Sequence, residues 1–251
     1  MRLAIIGGTG VKREQLLSEV KDKTIRTPFG EAHVLEGRVG ATDVLFLSRH
    51  GAGHKLPPHA INYRANIWAL REMGCQAIVA TAAVGSLRTA WEPGTFVIVD
   101  SFLDFTHGRA STFFTGEDGR VVHQDMTYPY CETLRNILLH AARQQQAPVR
   151  EHGCYVCTNG PRYETAAEVR AFALLGGDIV GMTGIPEVVL ARELGLCYAT
   201  VALVTNLGAG LQPNRLMHQD VETLMRQSAP VLTTILENSI PAIAQTECHS
   251  C

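Results

Sequence analysis

The sequence predicts an α/β fold: a three-layer single domain over residues 1–251, with a central mixed, largely parallel twisted sheet flanked by helices. Three observations point there. Short apolar runs of strand length alternate with segments of helical periodicity. Apolar residues fill 46% of 251 positions and charged residues 18%, enough to bury a sizeable core. No repeat, low-complexity stretch or Pro/Gly/Ser-rich linker divides the chain.

The elements follow in order. LAIIG (3–7) reads as a strand ending in glycines. DVLFLS (43–48), QAIVATAA (76–83), TFVIVD (95–100) and YATVALVT (198–205) read as buried strands. GCYVCTNG around Cys154 and Cys157 reads as another. Between them, Ile61, Ala65 and Trp68 share a helix face that Gly74 closes, and Leu134, Ile137, Leu138 and Ala141 make a second stripe. A third helix starts near Gly184 and stops at Gly195, and a fourth carries Val221, Leu224, Met225, Leu232 and Ile235.

Composition excludes several function classes. Twenty-two basic and 24 acidic residues give a net charge of −2 with no long run of one sign, so a nucleic-acid surface is not expected. No apolar run is long enough to span a bilayer, and the N-terminal apolar stretch is too short for a signal peptide, so a soluble cytoplasmic protein is expected. Seven cysteines, an odd count in a core-rich chain, argue against a disulfide scaffold. Two C-x-x-C pairs, Cys154/Cys157 and Cys248/Cys251, invite a zinc reading. Residues three apart on a strand face opposite ways, however, so buried thiols and a loose tail are the expectation.

Polar loops rich in Gly, Thr, Arg and His follow the strands: GGTG (7–10), RHGAGH (49–54), AAVGS (82–86), TNGPRYE (158–164), GMTG (181–184) and TNLGAG (205–210). In open α/β sheets ligands bind at that edge. GGTG alone is weak evidence for a dinucleotide, because Arg13 stands where the third glycine of G-x-G-x-x-G belongs. A glycine turn bearing a threonine hydroxyl does suit a small anion. Arg49 offers phosphate a two-pronged fork and His50 a further donor. His50, His54 and His59 lack metal-ligand spacing and a nearby carboxylate. Thr183, just before a helix, is placed to hold an anion or merely to cap the helix. Tyr163, Glu164 and Asn206 supply a ring, a carboxylate and an amide, a set able to read a nucleobase, although Glu164 could equally begin a helix and Asn206 a turn.

Taken together, the stretches IIGGTG, TPFG, RHG, INYRANIWALREMGC, GSL, NGPRYET, DIVGMTGIPEVVLARELG and ALVTN resemble the trimeric purine nucleoside phosphorylase and methylthioadenosine phosphorylase family, in family order from residue 4 to residue 206. The chain looks closest to the bacterial S-methyl-5′-thioinosine phosphorylases, which share RHG, PPH, NYRAN and GMTGxPE. The resemblance implies phosphorolysis: phosphate cuts a purine from ribose or methylthioribose, with phosphate as co-substrate and no cofactor or metal. It implies phosphate contacts from Thr9, Arg49, His50, Thr183 and the Ala83 N–H, with one donor missing where family members often carry Thr in place of Ala82. Met182 would lie under the ribose and Tyr163 against the base. His123 would reach a neighbouring subunit's site in a homotrimer or a dimer of trimers.

Where methylthioadenosine enzymes carry Ser, Asp and Asp, this chain has Glu164, Asn206 and Gly208. Glu164 can accept the nitrogen 1 proton of a 6-oxopurine, and the Asn206 amide can donate to oxygen 6 and accept from a protonated nitrogen 7. Hypoxanthine or guanine is therefore the expected base, with adenine release as the alternative. His218 in MHQDV resembles the histidine that binds a 5′-hydroxyl in ordinary purine nucleoside phosphorylases, whereas the overall likeness favours a 5′-methylthio group. Its plainer reading is an exposed residue at a helix start. A nicotinamide or flavin oxidoreductase, on the strength of IIGGTG, and a non-catalytic nucleoside-binding protein are the rivals from other classes.

Overall fold

In the computed structural model, which describes residues 1–8, 16–53, 55–213 and 217–248, eleven strands form one sheet. They are β1 (Leu3–Gly7), β2 (Ser18–Thr27), β3 (Gly30–Val39), β4 (Thr42–Ser48), β5 (Ala77–Ser86), β6 (Phe96–Ile98), β7 (Ser101–Phe105), β8 (Val149–Arg150), β9 (Cys154–Thr158), β10 (Ile179–Gly181) and β11 (Cys197–Leu207). Among the described residues the α-helices are α1 (Tyr63–Glu72), α2 (Glu132–Gln144), α3 (Ala166–Leu174), α4 (Gly184–Glu193) and α5 (His218–Gln245). The main path runs β2-β3-β4-β1-β5-β10-β9-β7, and β11 branches from β5 to carry β6 and β8. Six of the ten strand pairings are parallel, which makes the sheet mixed and mainly parallel.

Period-2 alternation splits the core in two. Ala4, Ile6, Ile78, Ala80, Ala202 and Val204 face one way, against α1 and α4. Leu3, Ile5, Val79, Val201 and Leu203 face the other, against α2 and α5. The two helical layers and the sheet between them are the expected three layers.

The hairpin β2–β3 was not anticipated. Its first strand, SEVKDKTIRT, is exposed along almost its whole length and has no apolar signal. Pairing with β3 creates it, with the Lys23 ammonium 2.7 Å from Glu36. Gly30, at φ +117°, turns the corner, a conformation open to glycine. This hairpin also changes the helix read from Ile61, Ala65 and Trp68. The helix begins at Tyr63, after Asn62 accepts the Ala65 N–H at 3.1 Å, so Ile61 precedes it. Wedged between the hairpin and α4, α1 buries Tyr63, Ala65, Ile67, Ala69 and Leu70. Trp68 is left half-buried, packed 5.3 Å from Phe29 and 5.4 Å from Phe113.

Cys154 and Cys157 sit on β9 with unlike exposure, Cys157 fully buried and Cys154 partly open. The expected loose tail is corrected at Cys248, which is half-buried with its Sγ 3.4 Å from that of Cys131. No helix of the described residues is long and apolar enough to cross a membrane.

Candidate active site

The C-terminal ends of the central strands open on a cavity of about 530 Å³. It exists because strand partners change along β5. Pairing with β1 ends at Ala80 and pairing with β10 begins at Gly85, leaving the 81–84 edge facing the gap. Ala82, Ala83 and Val84 accordingly line the cavity. Of the residues singled out from sequence, Arg49, His50, Ala83, Tyr163, Glu164, Met182, Thr183, Asn206 and His218 also line it. Thr9, with Gly10, Arg13, His54 and Cys251, falls outside the described residues. His123 is exposed on the irregular segment before α2 and does not line this chain's cavity. His59 is exposed in the short 3₁₀ turn at Pro58–Ala60, apart from buried His50.

Arg49 is 2% exposed and held on three sides. Its Nε and Nη2 donate to the two Glu187 oxygens at 2.8 and 2.7 Å, and Nη1 donates to the Thr81 carbonyl at 2.8 Å. Burial opposes its charge, but the Glu187 carboxylate outweighs this and raises its pKa above the ordinary value. Glu187, 1% exposed, takes a third hydrogen bond from the Tyr198 hydroxyl at 2.7 Å. Three of the five guanidinium N–H groups are thus committed, and two are left for an anion. Gly8 fits over this group because a Cβ there would stand 2.8 Å from Nη1. Its N–H donates to the Thr81 hydroxyl at 3.1 Å.

His50 donates from Nδ1 to the Leu56 carbonyl at 2.8 Å, since a carbonyl can only accept. This fixes the ring's orientation at the cavity wall. Thr183 is 7% exposed and makes no capping hydrogen bond through its side chain. The helix it was expected to start is irregular at its first turn. Ile185 is extended (φ −115°, ψ 131°) because Pro186 disfavours the α region before it.

Glu164 and Asn206 enter from opposite flanks. Glu164 accepts the Thr158 hydroxyl at 2.8 Å, and burial raises its pKa above the usual carboxylate range. Asn206 lies just past a register shift between Val204 and Asn206 in the β11–β5 pairing. Such irregularities re-aim side chains beside functional sites. Its Nδ2 donates to the Leu207 carbonyl at 3.0 Å, and its Oδ1 shares the single Thr205 hydroxyl proton, at 3.0 Å, with the Val84 carbonyl at 3.2 Å. One N–H and one lone pair stay available. A Cβ on Gly85 would sit 3.1 Å from Nδ2, so a side chain there would push the amide by a few tenths of an ångström. Glu164 therefore does not begin α3: Thr165 caps it through a capping box with Glu168.

At the mouth, Tyr163 is 37% exposed and its hydroxyl lies 2.9 Å from His218 Nδ1. His218 Nε2 is 3.6 Å from Glu222 one turn on. His218 is thus both the exposed first residue of α5 and part of the cavity wall.

The sequence reading missed three residues. Glu187 lies within the GMTGIPE stretch but gave no separate signal, since pairing across 138 positions is invisible in sequence. Lys55 lines the cavity close after RHG. Arg109 gathers the loops: it donates to the carbonyls of Asn159 (3.0 Å), Met182 (2.8 Å) and Ile185. It thereby joins the loop leading to Glu164 to the one carrying Thr183. Replacing Arg109 with alanine is expected to lower kcat/KM by about 100-fold, the effect of a roughly 1 Å misplacement of reacting groups. Steady-state kinetics on the folded variant checks this, and a loss confined to thermal stability would contradict the positioning role.

Comparison with known proteins fits this geometry. The model of the phosphorylase superfamily matches residues 2–241. The chain belongs to the phosphorylase superfamily. It is 48% identical to the 6-oxopurine nucleoside phosphorylase of Pyrococcus furiosus, over 100% of this chain and 96% of that protein. It is 49% identical to a probable S-methyl-5′-thioinosine phosphorylase of Methanopyrus kandleri, over 96% of this chain and 92% of the relative. The methylthioadenosine phosphorylase of Schistosoma mansoni, solved in complex with adenine, superposes with a TM-score of 0.93 at 37% identity, covering 98% of this phosphorylase and 93% of that chain. These matches overturn the dinucleotide reading of IIGGTG. In this phosphorylase Gly8 packs against Arg49, and both line the cavity.

Proposed function

We propose that this phosphorylase cleaves the N-glycosidic bond of a 6-oxopurine nucleoside, releasing hypoxanthine or guanine and a ribose or methylthioribose 1-phosphate for purine salvage. The observation that carries this reading is the meeting of Glu164 and Asn206 in one cavity with Arg49, His50 and Thr183. A carboxylate matches the nitrogen 1 proton of a 6-oxopurine, and the spare Asn206 N–H matches oxygen 6 or nitrogen 7. An adenine would set its bare nitrogen 1 against Glu164, leaving a buried acceptor unpaired. Gly208 speaks against the alternative of adenine release. A Cβ there would stand 3.0 Å from the Ser86 carbonyl and from Val169, so the second Asp of methylthioadenosine enzymes would crowd both.

The chemistry needs no covalent enzyme intermediate. The carbon–nitrogen bond loosens first and the sugar carbon gains oxocarbenium character. Phosphate, held by Arg49, His50, Thr183 and the Ala83 N–H, with Thr9 as a further donor, offsets that charge and then bonds to the anomeric carbon. The bonding electrons leave with the purine, which Asn206 stabilises at nitrogen 7. Met182 lies under the ribose and Tyr163 against the base. His218, at the mouth, meets the 5′ substituent. Phosphate is the co-substrate, and no cofactor or catalytic metal is used. His123, exposed in this chain, completes a neighbouring subunit's site in a homotrimer or dimer of trimers working in the cytoplasm.

The decisive assay follows base release from inosine, guanosine, adenosine, methylthioinosine and methylthioadenosine, with and without phosphate. Phosphate-dependent release confined to the 6-oxo substrates is expected, and equally fast cleavage of adenosine or methylthioadenosine would overturn the base assignment. A nucleoside-binding protein would bind and release nothing. Because burial raises the Glu164 pKa, the carboxylate form is lost at a higher pH than for an ordinary glutamate. Inosine kcat/KM should therefore be full above that raised value and fall as pH drops through it. Glu164→Gln should abolish this acid limb and lower kcat/KM about 10- to 100-fold, since a charge-assisted hydrogen bond contributes about 1.5–3 kcal/mol. A limb unchanged in the variant would assign it to another group.

A further inference from the structure

We propose that Cys131, Cys197 and Cys248 form a structural site for a thiophilic divalent cation of the zinc type, at the end of the sheet opposite the active site. The three thiols come from three elements far apart in sequence. Cys131 precedes the first turn of α2, and its N–H donates to the Tyr198 carbonyl at 2.8 Å. Cys197 opens β11, its N–H bonded to the Gln76 carbonyl at 3.0 Å. Cys248 follows the end of α5. Their Sγ atoms all lie within 4.8 Å of one another, with Cys131 and Cys248 at 3.4 Å.

Those separations suit one small cation. Sulfurs bound tetrahedrally at about 2.3 Å from zinc stand roughly 3.8 Å apart, so shifts of under about 1 Å would bring these three onto one ion. The donor set selects the metal. An all-thiolate cluster favours soft or borderline ions and offers nothing to calcium or magnesium, which require oxygen. Cys131 and Cys197, 3% and 4% exposed, hold the inner side against well-packed core, while Cys248 closes the outer side. A cavity lined by Cys197, Cys248 and Arg71 gives an ion its entry path. Three thiolates around a dication carry a net charge of −1, in a cavity whose lining also holds Arg71, the N-terminal Met1 and Glu247. Binding would release one proton per thiol. The sequence adds that Cys248 begins a C-x-x-C with Cys251, a spacing frequent in zinc sites, although Cys251 lies outside the described residues.

The location assigns the ion a structural role. Cys197 begins the same strand whose far end carries Asn206, about 30 Å away at roughly 3.3 Å per residue. Helix α5 runs back the other way: His218 lies at the cavity mouth, the 28-residue helix is about 40 Å long, and Cys248 follows its last residue, Gln245, by three positions. A bound ion would pin the far end of α5 to α2 and β11 without touching the substrate.

The test uses the full-length protein, stripped with a chelator and kept reduced. Titration with cobalt(II) should give a thiolate-to-metal charge-transfer band saturating at one ion per chain, and zinc should displace it. Zinc should also raise the melting temperature. Cys131→Ser and Cys197→Ser should lose the band. Cys248→Ser, at a half-exposed position beyond the helix, keeps the core intact and should bind cobalt about tenfold or more weakly while retaining phosphorolysis. Absence of both the band and the thermal shift in reduced protein overturns the proposal. A band undiminished in Cys197→Ser and Cys248→Ser overturns it equally. So would thiol counts in denaturant that reveal a Cys131–Cys248 disulfide, if the reduced protein then binds no metal.

Discussion

Asn206→Ala is expected to lower kcat about 10²- to 10³-fold while changing the KM for phosphate far less. The reasoning starts from hydrogen-bond capacity. The amide is anchored on both sides, by the Leu207 carbonyl at 3.0 Å and the Thr205 hydroxyl at 3.0 Å, and keeps one donor and one acceptor, which the proposed function assigns to the purine. The base becomes negatively charged as the glycosidic bond breaks, so a fixed partner at its edge acts more strongly in the transition state than in the bound substrate. Loss of one such preorganised donor typically costs about 2.7–4 kcal/mol. Asn206→Asp separates the two duties. It keeps an acceptor for a protonated nitrogen 7 but gives up the donor to oxygen 6, so inosine turnover should fall while the relative rate on adenosine rises. Single-turnover measurement of base release, alongside the KM for phosphate, checks both. Equal losses in kcat and phosphate affinity for Asn206→Ala would place the residue at phosphate instead.

Glu187→Ala should destabilise the fold by about 3–5 kcal/mol and nearly abolish phosphate-dependent turnover. Glu187 and Arg49 are 1% and 2% exposed, and the pair is bonded at both carboxylate oxygens. Deleting one partner leaves a buried cation with nothing to neutralise it, the costly way to break such a pair. The Tyr198 hydroxyl loses its acceptor at the same time. The catalytic loss has a separate origin. With Glu187 absent, the guanidinium is free to swing away from the cavity floor, and its two uncommitted N–H groups no longer meet the anion in fixed geometry. Glu187→Gln keeps the shape and one acceptor, so it should recover part of the stability but little of the phosphate affinity. Denaturant midpoints give the first quantity and initial rates against phosphate concentration give the second. An alanine variant of wild-type stability would mean that water compensates Arg49, and normal phosphate KM in that variant would remove Arg49 from the phosphate site.

Much of the site was legible because its residues cluster at strand ends. RHG, GMTG and TNLGAG each follow an apolar run, so periodicity alone places them on one edge of the sheet. What lay between the loops was less legible. Arg109 belongs to a stretch without secondary structure, and its role emerges once three carbonyls from two other loops converge on it. The hairpin β2–β3 failed for a different reason. An exposed strand carries no hydrophobic alternation, and its stability comes from pairing with β3. Cys248 read as part of a loose tail because proximity to Cys131 and Cys197 depends on where a 28-residue helix happens to end.

The sequence by itself determined the layered α/β class, the buried central strands and the chemical types available at their ends. These depend on local pattern, in which burial imposes a period of two on strands and 3.6 on helices. Tertiary structure alone decided which of Arg49's N–H groups remain for an anion, how the register shift aims Asn206, and that three distant thiols share one corner. The physical reason is range. A hydrophobic period is written over a few consecutive residues, whereas a hydrogen bond or a metal-sized gap depends on distances of a few ångströms between segments that only the packed sheet brings together.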